Sequence, residues 1–231
     1  MSGISQWYSS VGDHTFPTVF IRLHEDEKQL LISGESSSEV KDKLSKRIDR
    51  AILSLPGACF VGLDTCAPDD SKIFKRRKSH SSGKTAIDLL KSSEKISEAL
   101  KSGSTDLLIV RPYRRMDKTR EFRLFIYKKE LKGMSQRNLE RHFRRLDARR
   151  TEYWQKAEAF IQEISPFIEA ADVVIDIYFT SDSQVLIVDF NVWGECNPLL
   201  FRKWDRDWSE PSGLKLIAEP IQMQGDVKVS F

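Results

Sequence analysis

Residues 172–197, DVVIDIYFTSDSQVLIVDFNVWGECN, decide how the rest of the chain is read. Two apolar runs rich in β-branched and aromatic residues, Val173 to Phe179 and Val185 to Phe190, flank the polar stretch Thr180 to Gln184, which is the pattern of a β-hairpin. A two-residue turn at Asp182-Ser183 sets the register by counting outward: Phe179 faces Leu186, Ile177 faces Val188 and Asp176 faces Asp189. One face is then wholly apolar, with Ile175, Ile177 and Phe179 against Phe190, Val188 and Leu186. The other carries Asp176 opposite Asp189, with Asn191 two residues further along. Facing Cβ atoms lie about 5 Å apart, so the two carboxylates repel unless a proton or a cation lies between them. Mg²⁺ takes oxygen ligands at about 2.1 Å, usually one or two carboxylates with phosphate oxygens and waters, and two aspartates with an amide oxygen suit it. A polar face that is merely wetted, with Asn191 opening a turn, is the alternative reading of the same pattern.

Composition narrows the class. With 231 residues, 40% apolar and 31% charged, the chain has the size of a globular protein of one large domain or two small lobes. No apolar run approaches the roughly 20 residues that span a bilayer, and the opening MSGISQWYSS has no apolar signal core, so a cytoplasmic protein without a membrane anchor is expected. Cys59, Cys66 and Cys196 lack CxxC spacing and point to neither a disulfide framework nor a zinc site. Basic residues number 37 against 34 acidic ones, a balance too even to argue for nucleic acid.

Thr18 to Leu23 reads as a strand, and Ser36 to Leu55 as a helix, since Val40, Leu44, Ile48, Ala51, Ile52 and Leu55 recur at helical spacing behind a serine cluster. Ala58 to Leu63 is a buried strand. The stretch RRKSHSSGK, 76–84, is expected to be a mobile basic loop, followed by a helix from Thr85 to Leu100. Its Ser82-Gly83-Lys84-Thr85 end resembles a P-loop, but Lys78 stands where that motif needs a glycine and no apolar strand leads in. A flexible surface loop fits better, with cations available to cover a phosphate. Leu107 to Val110 is a strand ending at Arg111-Pro112-Tyr113. Glu121 to Tyr127 and Leu131 to Gln136 form a second hairpin, with Phe122, Leu124 and Ile126 on one face and Glu121 and Arg123 on the other. Arg123 is either half of a surface ion pair or a bidentate phosphate grip. A long helix is expected over 138–163, with Arg141, Arg144 and Arg145 on one face, for an acidic partner, RNA or solvent alone. The pattern is α+β, with a lobe over 1–105, ending beyond the basic loop, and a second over 106–231.

With those residues placed, the chain resembles the cell division cycle protein 123 family. The segments that carry the likeness are Trp7-Tyr8, CFVGLDTCAPDDS at 59–71, LLKSSEKI at 89–96, LIVRPY and EFRLFIYKKELKGMSQRN within 108–138, and VVIDIYF with VLIVDFNVW within 173–193. The resemblance implies an ATP-grasp fold, two lobes with antiparallel sheets and ATP between them. It places Mg²⁺ on Asp176, Asp189 and Asn191, adenine at the backbone of Arg111, Pro112 and Tyr113, and Arg123 toward the nucleotide. It also implies an assembly chaperone for translation initiation factor 2, binding its γ subunit in a eukaryotic host; the chain is expected to be a monomer, and no residue pattern in it marks a catalytic group. Two departures accompany it. Gly62 stands where the family carries a basic residue, and Pro68-Asp69-Asp70 replaces a proline-basic-aspartate triplet, so Lys72, Lys75 or Lys84 is expected to meet the phosphates. The chain also ends soon after Trp208, short of the family's C-terminal extension, which leaves room for a bacterial relative with another partner. A ligase that activates a carboxylate as an acyl phosphate and an RNA-binding protein using Arg141 to Arg150 are the competing readings.

Overall fold

The computed structural model describes residues 3–220 and divides the strands between two sheets. Helix α1 (Ile4–Val11) and strand β1 (Val19–Arg22) are followed by helices α2 (Glu25–Ser33) and α3 (Ser38–Leu53) and strand β2 (Cys59–Leu63). Helices α4 (Lys72–Arg76), α5 (Gly83–Lys91) and α6 (Glu94–Lys101) lead into strand β3 (Leu107–Pro112). Strands β4 (Glu121–Tyr127) and β5 (Glu130–Gln136), helices α7 (Arg144–Ala148) and α8 (Arg150–Ile164), and strands β6 (Val173–Phe179), β7 (Val185–Val192) and β8 (Leu214–Lys215) complete the order. No helix among the described residues is long and apolar enough to cross a membrane.

The first sheet runs β1-β3-β2 and is antiparallel throughout. Strand alternation sends Ile21, Val61, Leu63, Leu108 and Val110 into a core with Leu30, Leu44, Ile48, Ile87 and Ile96 from the helices. Serine side chains start three of those helices: Ser37 accepts from the amide of Val40, Ser82 from Thr85 and Ser93 from Ile96, each satisfying a donor that a helix leaves open. The helix expected over 85–100 is therefore two, because Ser93 caps a new one and the Asp70 carboxylate accepts from its hydroxyl and from the amide of Glu94. Neither is all of 76–84 a loop. His80 is buried and exchanges both backbone hydrogen bonds with Cys59, at 2.9 and 2.7 Å, and α5 begins at Gly83.

The second sheet runs β7-β6-β4-β5-β8, antiparallel except that β8 lies parallel to β5. Its buried face sets Phe122, Leu124, Ile175, Ile177, Ile187 and Phe190 against Tyr153, Ala157 and Ile161 of α8 and Trp7 of α1. The β6–β7 hairpin pairs Asp176 with Asp189 as counted from the sequence, yet the turn does not follow. The five residues Thr180 to Gln184 close it, with the Thr180 amide on the Gln184 carbonyl at 2.9 Å and Ser183 at φ 69°. Phe179 thus faces Val185 and Ile177 faces Ile187, and a bulge beside Asp176 restores the inner register. Ile187 and Val185 take the core positions expected for Val188 and Leu186.

The long helix expected over 138–163 is shorter and broken. The Gln136 side-chain amide donates to the carbonyls of Asn138 and Arg141, and a His142 ring nitrogen meets the Ile217 carbonyl, so the chain stays irregular up to Phe143. Arg141 therefore lies outside the helices and shares no helical face with Arg144 and Arg145. Arg144 and Arg145 instead meet Glu219 and Asp117.

Beyond β7 the chain returns over the sheet's other face as an aromatic plug. Trp208 stacks on Phe125 at 5.2 Å between centroids and packs with Phe201 and Trp204. Truncating a buried tryptophan of this kind costs about 3–5 kcal/mol. Trp208→Ala is accordingly expected to lower the urea unfolding free energy by that amount, and a loss below about 1 kcal/mol would show that the plug adds little.

Candidate functional site

Strand alternation puts one polar row across three strands: Arg123 on β4 pairs with Asp176 on β6, which pairs with Asp189 on β7. Arg123 grips Asp176 with both arms, Nε to Oδ1 at 2.7 Å and Nη2 to Oδ2 at 2.8 Å, and both side chains are buried. Its remaining arm, Nη1, donates to the Asn197 carbonyl at 2.7 Å. Arg137 adds a looser contact, Nη1 to Asp176 Oδ2 at 3.4 Å.

Asp189 has no such partner. Among the described residues its Oδ1 accepts only from the next amide in the chain, that of Phe190, at 2.9 Å. Burial first, and then the Asp176 charge, push its carboxyl up to about 6, against the opposing pull of that amide, Arg111 and Arg137. Arg111 reaches this place from β3 of the other sheet. It donates from Nη2 to Thr15 Oγ1 at 2.6 Å and from Nη1 to the Val188 carbonyl at 3.3 Å, and it lies over the Phe16 ring. Burial pulls its guanidinium down to about 10, although Asp189 and Tyr8 favour the charged form.

Asn191 supplies the other anomaly, a buried Nδ2 without a hydrogen-bond partner among the described residues. The two ends of an amide are assigned by their surroundings. Turned over, the same side chain presents Oδ1 at that position, an acceptor with no donor to meet, which is what a cation ligand requires. Among the described residues no group of three or more His, Cys, Asp or Glu side chains gathers as a metal site; Asp176, Asp189 and Asn191 together offer two carboxylates and an amide, hard oxygen donors of the kind that Mg²⁺ takes.

The remaining expected residues are placed differently. Pro112 lies at the end of β3, and the exposed Tyr113 donates its amide to the Ala58 carbonyl at 2.8 Å, so this stretch offers carbonyls rather than free amides. Lys72, Lys75 and Lys84 are exposed, and among the described residues the ion pairs of Asp176 are with Arg123 and Arg137 and not with these lysines. Gly83 shows why the P-loop likeness is superficial. Its amide is occupied by Asp49 Oδ1 at 2.7 Å, and a Cβ would meet the Ser45 carbonyl oxygen at 2.2 Å, so the glycine serves close packing of α5 on α3. At Gly62 a Cβ would lie 3.0 Å from the Phe60 ring and 3.2 Å from the Cys66 carbonyl, so a lysine there requires that ring to give way.

Arg137 also stands beside the polar row, 3.4 Å from Asp176. Arg137 lies two residues beyond Ser135, which pairs with Arg123, and parity alone puts it on the polar face. Lys78, Lys118 and Arg137 all draw down the carboxyl of half-buried Glu121, which burial and Asp176 raise. Both Lys78 and Arg137 stand in segments whose character was legible, the basic loop and the SQR piece.

Two sheets with helices packed against them, and a polar row of carboxylates and arginines that Arg111 approaches from the other sheet, make an α+β protein with its charged groups gathered where the sheets meet. A family profile described as D123 matches residues 22–211, and the chain belongs to that family. It is 29% identical over 230 residues to a CDC123-like protein of Acanthamoeba polyphaga mimivirus, covering 89% of this chain and 69% of that one. It is 27% identical over 222 residues to the translation initiation factor eIF2 assembly protein of Dictyostelium discoideum, covering 85% of this chain and 57% of the relative. The solved structure of Cdc123 from Schizosaccharomyces pombe has the same fold, with a TM-score of 0.79 at 19% identity over 92% of this chain and 93% of that one.

The Asp189 carboxyl, raised above the ordinary value of 3.8, binds its proton more tightly folded than unfolded. Its cost to the fold is absent below pH ~4, grows as the pH rises toward 6 and is complete above that. Asp189→Asn cannot ionise and escapes this cost. Because Asp189 is partly exposed, the gain over the parent is expected to be on the order of 1 kcal/mol above pH ~6 and to vanish near pH ~4, as read from urea unfolding across that range. A gain independent of pH would refute an ionised, strained Asp189.

Proposed function

We propose that this protein binds ATP with Mg²⁺ on the polar face of the β6–β7 hairpin and, in that state, acts as an assembly factor for translation initiation factor 2. The observation that carries the nucleotide site is the facing Asp176–Asp189 pair with the unpartnered Asn191 amide beside it. Mg²⁺ bound there would offset the carboxylates and the nucleotide phosphates. Asp189 and Asn191 have lone pairs to give, and Asp176 keeps one on each oxygen beyond those taken by Arg123, since a carboxylate offers about four acceptor sites. Arg123 holds Asp176 in place and faces the nucleotide, and Arg111 ties the adenine-side strand to the metal-side hairpin. At Pro112-Tyr113 the carbonyls suit the adenine amino group. Arg137, 3.4 Å from Asp176, and Lys78, whose charge is felt at Glu121, join Lys72, Lys75 and Lys84 as candidate phosphate partners.

The assembly role is supported by the relatives from Dictyostelium discoideum and Xenopus tropicalis, both described as translation initiation factor eIF2 assembly proteins. The partner proposed is the γ subunit of that factor, bound by a cytoplasmic monomer. RNA is the weaker reading, because several arginines of 144–150 are already committed. Arg149 and Arg150 meet Glu152 and Asp147, in addition to the pairs of Arg144 and Arg145.

Calorimetry with ATP in the presence and absence of magnesium tests the site. Asp189→Ala is expected to weaken magnesium-dependent binding by at least about tenfold, equivalent to about 1.4 kcal/mol, and to leave the circular dichroism spectrum unchanged. Unaltered affinity in that variant overturns the assignment. Lys78→Ala is expected to weaken binding more than Lys84→Ala, and the reverse order would move the phosphates toward the start of α5.

A further inference from the structure

Three sheet edges meet different fates. The outer edge of β2 is closed by His80, which bonds Cys59 in both directions. That of β7 is covered where Thr15 Oγ1 donates to the Ile187 carbonyl and Arg111 to that of Val188. On β1 the Leu23 amide donates to the Asp106 carbonyl, and with the β1–β3 register this assigns Val19 and Ile21 to the ladder as well. Phe20 and Arg22 therefore point their backbone groups away from the sheet. Tyr8 caps the edge at one end by accepting from the Thr18 amide, and Arg47 caps the other by donating to the Arg22 carbonyl. Among the described residues the N–H and C=O of Phe20 and the N–H of Arg22 are left without partners, a template for one more strand.

Beside this edge opens a cavity of about 360 Å³ between β1 and the C-terminal half of α3. Arg22, Arg47 and Arg50 line it together with apolar surface from Ile21 and Ala51, and no carboxylate does. Along α3, Lys43, Lys46, Arg47 and Arg50 follow at spacings of three, four and seven, which makes one basic stripe. Lys43 meets Glu39 and Arg47 meets Glu27, whereas Lys46 and Arg50 have no ion pair among the described residues. Leu53, on the last turn of α3, is 84% exposed and ends the stripe with an apolar group.

We propose that the free edge of β1 and the basic face of α3 form a docking groove for an extended, acidic segment of a partner protein, which joins the first sheet as a fourth strand. A residue set opposite Phe20 exchanges two backbone bonds with it, and the residue two along accepts from Arg22. Alternate side chains then reach Arg50 and Lys46, and an apolar residue at one end meets Leu53. This is strand addition with charge selecting the sequence. A second copy of this chain is excluded by charge, since it would bring Arg22 and Arg50 against their own kind. None of these residues belongs to the nucleotide site, so the inference stands independently of it.

The test uses the isotopically labelled full chain and a synthetic peptide of about seven residues, strand length, alternating glutamate and valine. Binding is expected to slow hydrogen exchange at the Phe20 and Arg22 amides, as read by NMR. Arg50→Glu, at an exposed position without an ion pair, is expected to fold normally and weaken the peptide at least about tenfold, the scale of one charge-assisted hydrogen bond. Arg50→Lys is expected to retain binding within about threefold. The proposal is overturned if the peptide does not bind, if a lysine–valine peptide binds as well, or if binding leaves those two amides unprotected. An RNA oligonucleotide that binds equally tightly and is equally weakened by Arg50→Glu would reassign the groove to nucleic acid, and a β1-dependent dimer in sedimentation would reassign it to self-association.

Discussion

Burying Asp176 in the middle of a sheet obliges the chain to bury Arg123 beside it. A carboxylate taken out of water loses several kcal/mol of hydration, and only a well-formed, fully hydrogen-bonded partner restores it. The two-armed contact at 2.7 and 2.8 Å does so, and the third arm on the Asn197 carbonyl ties the segment after β7 to the same pair. The order of β7, β6 and β4 is thereby held on both faces, by apolar packing below and by this ion pair above. Removing either partner alone would leave a buried charge and cost about 3–5 kcal/mol.

A second constraint comes from the bulge beside Asp176. The extra residue on β7 turns a carbonyl out of the ladder at Val188, and Arg111 donates to it from the other sheet. Thr15 joins the arrangement, donating to the Ile187 carbonyl while it accepts from Arg111. The two sheets are therefore tied by polar contacts at the register position where the carboxylates meet. Phe60 and Ile109 extend the apolar core between them. A hairpin with the tighter two-residue turn would have no such bulge and no carbonyl so presented.

The Asp176–Asp189 pairing was reached by counting from a two-residue turn, and it holds because the five-residue turn shifts the register by one residue and the bulge beside Asp176 shifts it back. The outer register was not legible, since a five-residue turn and a bulge compensate each other and leave no mark in the apolar pattern. The break between α5 and α6 depends on Asp70, remote in sequence, and the irregular 138–143 stretch depends on Gln136 and His142 finding carbonyl partners. Propensity cannot register contacts of that kind. The aromatic plug of Phe201, Trp204 and Trp208 was likewise hidden, because its irregular backbone has no period, although three large rings in eight residues of a charged stretch mark it in retrospect.

The two aspartates of the site are alike in sequence and unlike in condition. Asp176 has both oxygens committed to Arg123 and a further cation at 3.4 Å, so its charge is balanced whether or not an ion is near. Among the described residues Asp189 is held only by the adjoining Phe190 amide, and burial and then the neighbouring Asp176 charge raise its carboxyl. A cation arriving between them would therefore gain most from Asp189 and from the unpartnered Asn191, while Asp176 fixes where it stands. In the proposed site Asp176 would contribute its spare lone pairs from a fixed position, and Asp189 would gain the charge partner that it lacks. A hairpin with two equally paired aspartates would be more stable and would gain less from a cation.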